Sequence, residues 1–251
     1  GSFDFVLGPG SDAELLSEGL ASTLSEQGYA LMRLLISGED SREMLAAAAR
    51  LEGEDYFSRM AVEFERGYLG VDGVAKTMLL DPSASSAPDF VRQSPLAIMD
   101  ENFARLSEML DPHTIDTLGF RIHGRSQMLL QLPLAEAEED RYPSPLTDDK
   151  DAEGYMQVMV RKKLTLLFFV GPTTGTVTLL PCSESETKVE LQAEPGALLF
   201  LTSGRYEHSY QPDGEALALS TFLLAEPPFF SFTSATLGGD LQVLGMLGAG
   251  P

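Results

Sequence analysis

With 251 residues, 43% of them hydrophobic, the chain can bury a sizeable core, and global disorder is excluded. A formal charge of −21 repels phosphate backbones and anionic lipid surfaces, so nucleic-acid and membrane partners are not expected. The charge reads as a well-solvated acidic surface or, more sharply, as a docking face for a basic partner.

Gly1-Ser2 looks like a cloning remnant, which would make the chain one domain of a longer polypeptide. No signal-peptide pattern follows it, and no apolar run reaches the roughly eighteen residues of a membrane helix. Gly8-Pro9-Gly10 reads as a leader. Ser11 and Glu14 then form a capping box for a helix from Ser11 to Gln27, with Leu15, Leu16, Leu20 and Leu24 recurring at helical spacing. Gly28 stops it, and Tyr29 to Leu35 reads as a short strand.

Residues 41–67 read as helical with a break near Gly53, and their apolar stripe from Met44 to Phe64 is assigned to the core. The Pro- and Ser-rich segment 81–88 is a loop. Ser94-Pro95 is an N-cap followed by proline in the first turn, opening a helix that runs to about Leu110. Residues 1–119 are therefore mainly a helical brace.

Beyond Phe120 the periodicity changes to strands. Residues 126–134 form one, and 136–151 read as an acidic, mobile loop. Strands then recur at 164–170, 175–181, 197–203, 207–210 and 217–224, separated by turn signals such as Glu194-Pro195-Gly196 and Pro212-Asp213-Gly214. Short strands at regular spacing indicate a barrel or sandwich. Arg161-Lys162-Lys163 reads as the solvated start of a strand. Cys182, the lone cysteine, excludes an intramolecular disulfide and a Cys-rich zinc module. It suits a reducing, intracellular (cytoplasmic) setting and reads as a structural thiol. Residues 226–251 form a tail. No linker divides the chain, so residues 1–251 are taken as one α+β domain.

One run of residues carries more. Pro195-Gly196-Ala197-Leu198-Leu199-Phe200-Leu201, then His208, then the strand from Leu217 resembles the barrel of the iron(II)/2-oxoglutarate dioxygenases, in particular the prolyl-4-hydroxylase-like branch. The resemblance covers residues 120–225, and 11–36 loosely. It implies a double-stranded β-helix (jelly-roll, cupin-like) barrel braced by the N-terminal helices, and it makes His208 the distal metal ligand. Such a site needs two imidazoles and a carboxylate on one face of iron(II), with open positions for 2-oxoglutarate and dioxygen. The family's His-x-Asp pair is absent: Tyr142 sets a register that puts Pro145 and Thr147, or Leu146 and Asp148, at those positions. The family's cosubstrate-gripping cation is replaced by Ala216.

Substitutes are conceivable. Asp148 or Asp149 could supply the carboxylate and His123 the second imidazole. Arg125, Arg141 or Arg205 could supply the cation for 2-oxoglutarate. Two readings remain open. In one, the domain is a degraded pseudoenzyme without cofactor, binding a small molecule or protein in the barrel mouth as a binding or scaffolding module. In the other, it is an active hydroxylase-type oxygenase using iron(II) and 2-oxoglutarate at an atypical site. A metal-free cupin-like binder or isomerase is a third use of the same cavity.

Overall fold

The structure is a computed structural model that describes residues 2–8 and 10–227. The expected tail lies, from residue 228 onward, outside the described residues. So does Pro9 of the leader.

The chain enters through β1 (Phe5–Leu7) and α1 (Ala13–Gln27). The cap of α1 is Asp12, whose carboxylate accepts from the N–H groups of Glu14 and Leu15, and not Ser11, which accepts from Gly8 instead. Gly28 ends α1 at φ 81°, and β2 (Tyr29–Leu34) follows. Next come α2 (Gly38–Gly53), β3 (Ser58–Arg59), α3 (Val62–Leu69), β4 (Ala75–Leu80), α4 (Asp89–Arg92) and α5 (Pro95–Leu118).

Ser94 caps α5, with Pro95 in its first turn. The helix runs past the expected stop at Leu110, through Pro112, to Gly119. Its last turns are held tertiarily: Thr114 is fully buried, and His113 Nε2 hydrogen-bonds Ser17 of α1 at 3.0 Å. Packing on α1 here outweighs the backbone bond a helical proline forfeits.

Then follow β5 (Gly124–Arg125), β6 (Met128–Pro133), a 3₁₀ turn at Glu136–Glu138, and α6 (Asp149–Arg161). The acidic loop expected over 136–151 is in part this turn and the cap of a helix, and α6 replaces a loop-to-strand passage. The strands β7 (Lys162–Pro172), β8 (Gly175–Pro181), β9 (Val189–Gln192), β10 (Ala197–Thr202), β11 (Tyr206–Pro212) and β12 (Ala216–Leu224) complete the described chain.

Two sheets form the barrel. The nine-stranded sheet runs β1-β2-β10-β7-β12-β6-β4-β3, with β5 on β12. The other runs β11-β8-β9. The segment expected as a helical brace thus also supplies β1 to β4, and β2 and β4 lie inside the large sheet.

Alternation along the strands divides the core. Leu166, Phe168, Leu198, Phe200 and Leu219 face α1, α2 and α5. Leu167, Phe169, Leu199 and Ala218, their sequence neighbours, face Val177 and Leu179 of the small sheet. On that same inner face, Leu129, Phe222 and Leu224 meet Phe64 and Tyr68 of α3. Each such side chain, fully buried, contributes roughly 1.5–3 kcal/mol. This is the α+β double-stranded β-helix: the helices brace the outside of the large sheet, and α3 and α6 cover the barrel where the small sheet stops.

Candidate functional site

His208 lies at the centre of the inner face of β11. Burial alternates there, Tyr206 and His208 inward and Glu207 outward. His208 pairs in register with Leu179 of β8, and its carbonyl accepts the Val71 N–H at 2.7 Å. The imidazole rests against Gly70. That glycine sits at φ 95°, ψ −177°, a region only glycine tolerates, and an added Cβ would lie 3.0 Å from the ring's Cδ2 and Nε2. Burial, and secondarily the charge of Lys162, push the His208 imidazole down to about 4. It is a neutral ring at physiological pH.

Lys162 is the unexpected neighbour. On β7, Leu164 pairs with Leu223 but Lys162 pairs with Leu224, so Lys163 is one residue too many. This β-bulge shifts the alternation and puts Lys162, rather than Lys163, on the inner face with Leu224 and Phe222. Its ammonium donates to the carbonyl of Gly67 in the last turn of α3, at 2.6 Å. It also lies 4.7 Å from the centre of the Phe222 ring. The helix C-terminus and the ring face both favour a cation. Desolvation nevertheless pushes Lys162 down to about 8, opposed by the charge of Glu207. The expectation of a solvated 161–163 therefore fails at Lys162. Three consecutive basic residues abutting a largely apolar strand were the available signal.

Aromatic rings close the interior. Tyr68 meets Phe222 edge-on at 5.1 Å and Tyr155 of α6 at 5.3 Å, and Tyr155 stacks on Phe64 at 4.8 Å. Burial raises the hydroxyl pKa of both tyrosines. Glu207 points outward to Arg66, at 3.0 and 2.6 Å.

The other candidates stand elsewhere. Asp148 is the N-cap of α6, accepting the Asp151 N–H at 2.8 Å, and Asp149 is an exposed residue of the first turn. His123 is exposed, its N–H bonded to the Leu224 carbonyl. Arg125 pairs with Asp100 at 2.6 Å. Arg141 is exposed and pairs with Asp55 at 3.1 Å. Arg205 binds Glu186 and the carbonyls of Ser25 and Glu26, capping the C-terminal end of α1. Cys182 is free and exposed.

A three-donor iron centre does not fit these residues. Among the described residues no three His, Cys, Asp or Glu side chains gather to hold a metal ion. The ionisable groups that act on His208 are Lys162 and Glu207, the latter held by Arg66.

A groove of about 200 Å³ opens between β4, β6 and the β11–β12 end of the barrel. Leu69, Gln131, Pro133, Tyr210 and Ala216 line it, and no charged residue does. Burial raises the Tyr210 hydroxyl to about 12, so it enters the groove protonated. Ala216, which stands where the resemblance calls for a cation, faces this groove. Among the described residues, no helix is long and apolar enough to cross a membrane.

No family model and no curated protein matches the sequence. Solved structures do match its shape. A prolyl hydroxylase from Trichoplax adhaerens, in complex with a hypoxia inducible factor oxygen degradation domain peptide, superposes with a TM-score of 0.56 at 14% identity, over 85% of this chain and 90% of that one. A Pseudomonas putida prolyl-4-hydroxylase gives 0.54 at 12%, over 84% and 100%. The non-heme alpha ketoglutarate dependent epimerase SnoN from nogalamycin biosynthesis gives 0.50 at 16%, over 84% and 81%. Proteins of that fold thus include both hydroxylases and an epimerase, and a shared fold does not fix the reaction. The chain has the double-stranded β-helix fold of the iron(II)/2-oxoglutarate oxygenases.

Proposed function

We propose that this domain is a diverged oxygenase-fold barrel that works as a binding or scaffolding module without iron. One observation carries the reading: the ionisable groups that act on buried His208 are the Lys162 ammonium and a Glu207 carboxylate already paired with Arg66, and among the described residues no three metal-ligating side chains gather there. An interior cation raises the cost of bringing a divalent metal to that ring. The uncharged groove supports the same conclusion for the cosubstrate. A dicarboxylate placed beside Ala216 would be desolvated without a counter-charge, which is costly. The groove suits an uncharged ligand or an apolar side chain of a protein partner, oriented by the Tyr210 hydroxyl and the Gln131 amide.

The test is an anaerobic titration of the purified protein with iron(II) or manganese(II), with and without 2-oxoglutarate, followed by a 2-oxoglutarate consumption assay. No stoichiometric uptake and no consumption are expected. One equivalent of metal bound by the wild type and lost in His208→Gln would overturn the reading in favour of an active oxygenase.

A further inference from the structure

The outer face of α6 has no partner among the described residues. Ala152, Tyr155 and Val158 turn inward onto the α3 cluster. Met159, one turn after Tyr155, joins that inward face, whereas Met156 and Val160, one turn apart, lie on the outer side, 57% and 59% exposed. Met159 packs across Gly67 of α3, where an added Cβ would meet its Sδ at 2.8 Å. Leu146, just before the Asp148 cap, is fully exposed as well. Large apolar side chains clustered on one helix face mark interaction surfaces, and methionines adapt their shape to what they meet.

The same stripe of α6 is acidic at its N-terminal end. Asp149 and Glu153 lie one and two turns before Met156 and Val160, at i, i+4, i+7 and i+11, and Asp148 and Asp151 flank them. Carboxylates at one end and methionine and valine at the other make a two-part surface. The overall charge of −21 opposes pairing with a second copy of this chain.

We infer that the outer face of α6 is a docking surface for a basic amphipathic segment of a partner protein, with apolar anchors seated on Met156 and Val160 and lysine or arginine side chains against Asp149 and Glu153. This mode is a helix laid against an apolar face. It lies outside the barrel mouth and does not depend on the metal status of His208.

The experiment uses the full chain and a fluorescent synthetic 14-residue Leu/Lys peptide patterned as an amphipathic helix. A scrambled isomer of equal charge controls for bulk attraction to an acidic protein. The patterned peptide is expected to bind at least tenfold more tightly than the isomer at 150 mM salt. The double variant Met156→Ser/Val160→Ser is expected to erase that difference while its circular dichroism and melting stay unchanged. Equal binding of the two peptides, an unaffected double variant, or a preference that appears only when the chain ends at Pro227 would overturn the inference. The last outcome would assign the face to residues 228–251.

Discussion

Lys162 and His208 both face the interior of the barrel: burial first, and the lysine's charge second, keep the imidazole neutral to about pH 4. The unfolded chain binds a proton at His208 below its ordinary value of 6.5, whereas the folded chain does not until about 4. The unfolded state therefore holds more protons across that window, and stability falls as pH drops from 6.5 toward 4, by up to about 3 kcal/mol from this group. Denaturant midpoints across pH 4–7 should show the loss, and His208→Gln should flatten it. Lys162→Met should raise the His208 pKa, read from the imidazole resonances by NMR. An unmoved pKa would mean that burial alone holds the ring neutral.

Lys162 carries its own signature at high pH. Its folded value of about 8 lies below the unfolded 10.5, so the unfolded state again holds more protons, and stability should rise between those limits. Urea midpoints at pH 7.5 and 9.5 should differ in the wild type by more than in Lys162→Met.

Gly70 should be the least tolerant glycine on this face. Gly70→Ala adds a Cβ that collides with the His208 carbonyl at a backbone angle alanine avoids. A loss of about 3 kcal/mol or more is expected. Gly154→Ala is the control: nothing lies within 4 Å of its Cβ position in α6, and the change should stabilise by up to about 1 kcal/mol. Thermal melts of both variants test the contrast.

Lys76 is a buried cation of a different kind. Its ammonium bridges Glu52 of α2 at 2.6 Å and Glu138 of the 3₁₀ turn at 3.1 Å, tying the helical layer to the segment that follows β6. Desolvation lowers its pKa, but the two carboxylates outweigh that and leave it raised. Glu52→Gln/Glu138→Gln leaves the charge buried without its partners and should cost about 3 kcal/mol by denaturant titration. Lys76→Met in that background should recover part of the loss.

Asp148 separates a cap from a metal ligand. Asp148→Ala should raise amide exchange in the first turn of α6 and cost about 1 kcal/mol locally, while Asp148→Asn, an equally good cap, should not. Loss of manganese(II) binding in both variants would instead assign it to a metal site.

Much of the fold was legible in sequence. Gly28 and Ser94-Pro95 carried local signals that do not depend on the rest of the chain, and the Pro195-Gly196 turn with its apolar strand located His208. What escaped detection was fixed by distant contacts. The α6 segment contains Gly154 and the β-branched Val158 and Val160, poor helix formers, and is helical because Asp148 caps it and Tyr155 lies on Phe64 and Tyr68. The strand β4 is six residues long with Lys76 and Thr77 buried in it, so it shows no clean alternation. The inward turn of Lys162 comes from one surplus residue, and a bulge leaves no mark in composition.

The small sheet has two edges, and both are blunted. One is the four-residue β9, with the Lys188–Glu190 ion pair beside it. On the other, β11, the Val71 N–H already occupies the His208 carbonyl. Among the described residues, β9 is short and β11 is interrupted at His208, which leaves the small sheet a poor template on which copies of this protein could add strands and grow into fibres.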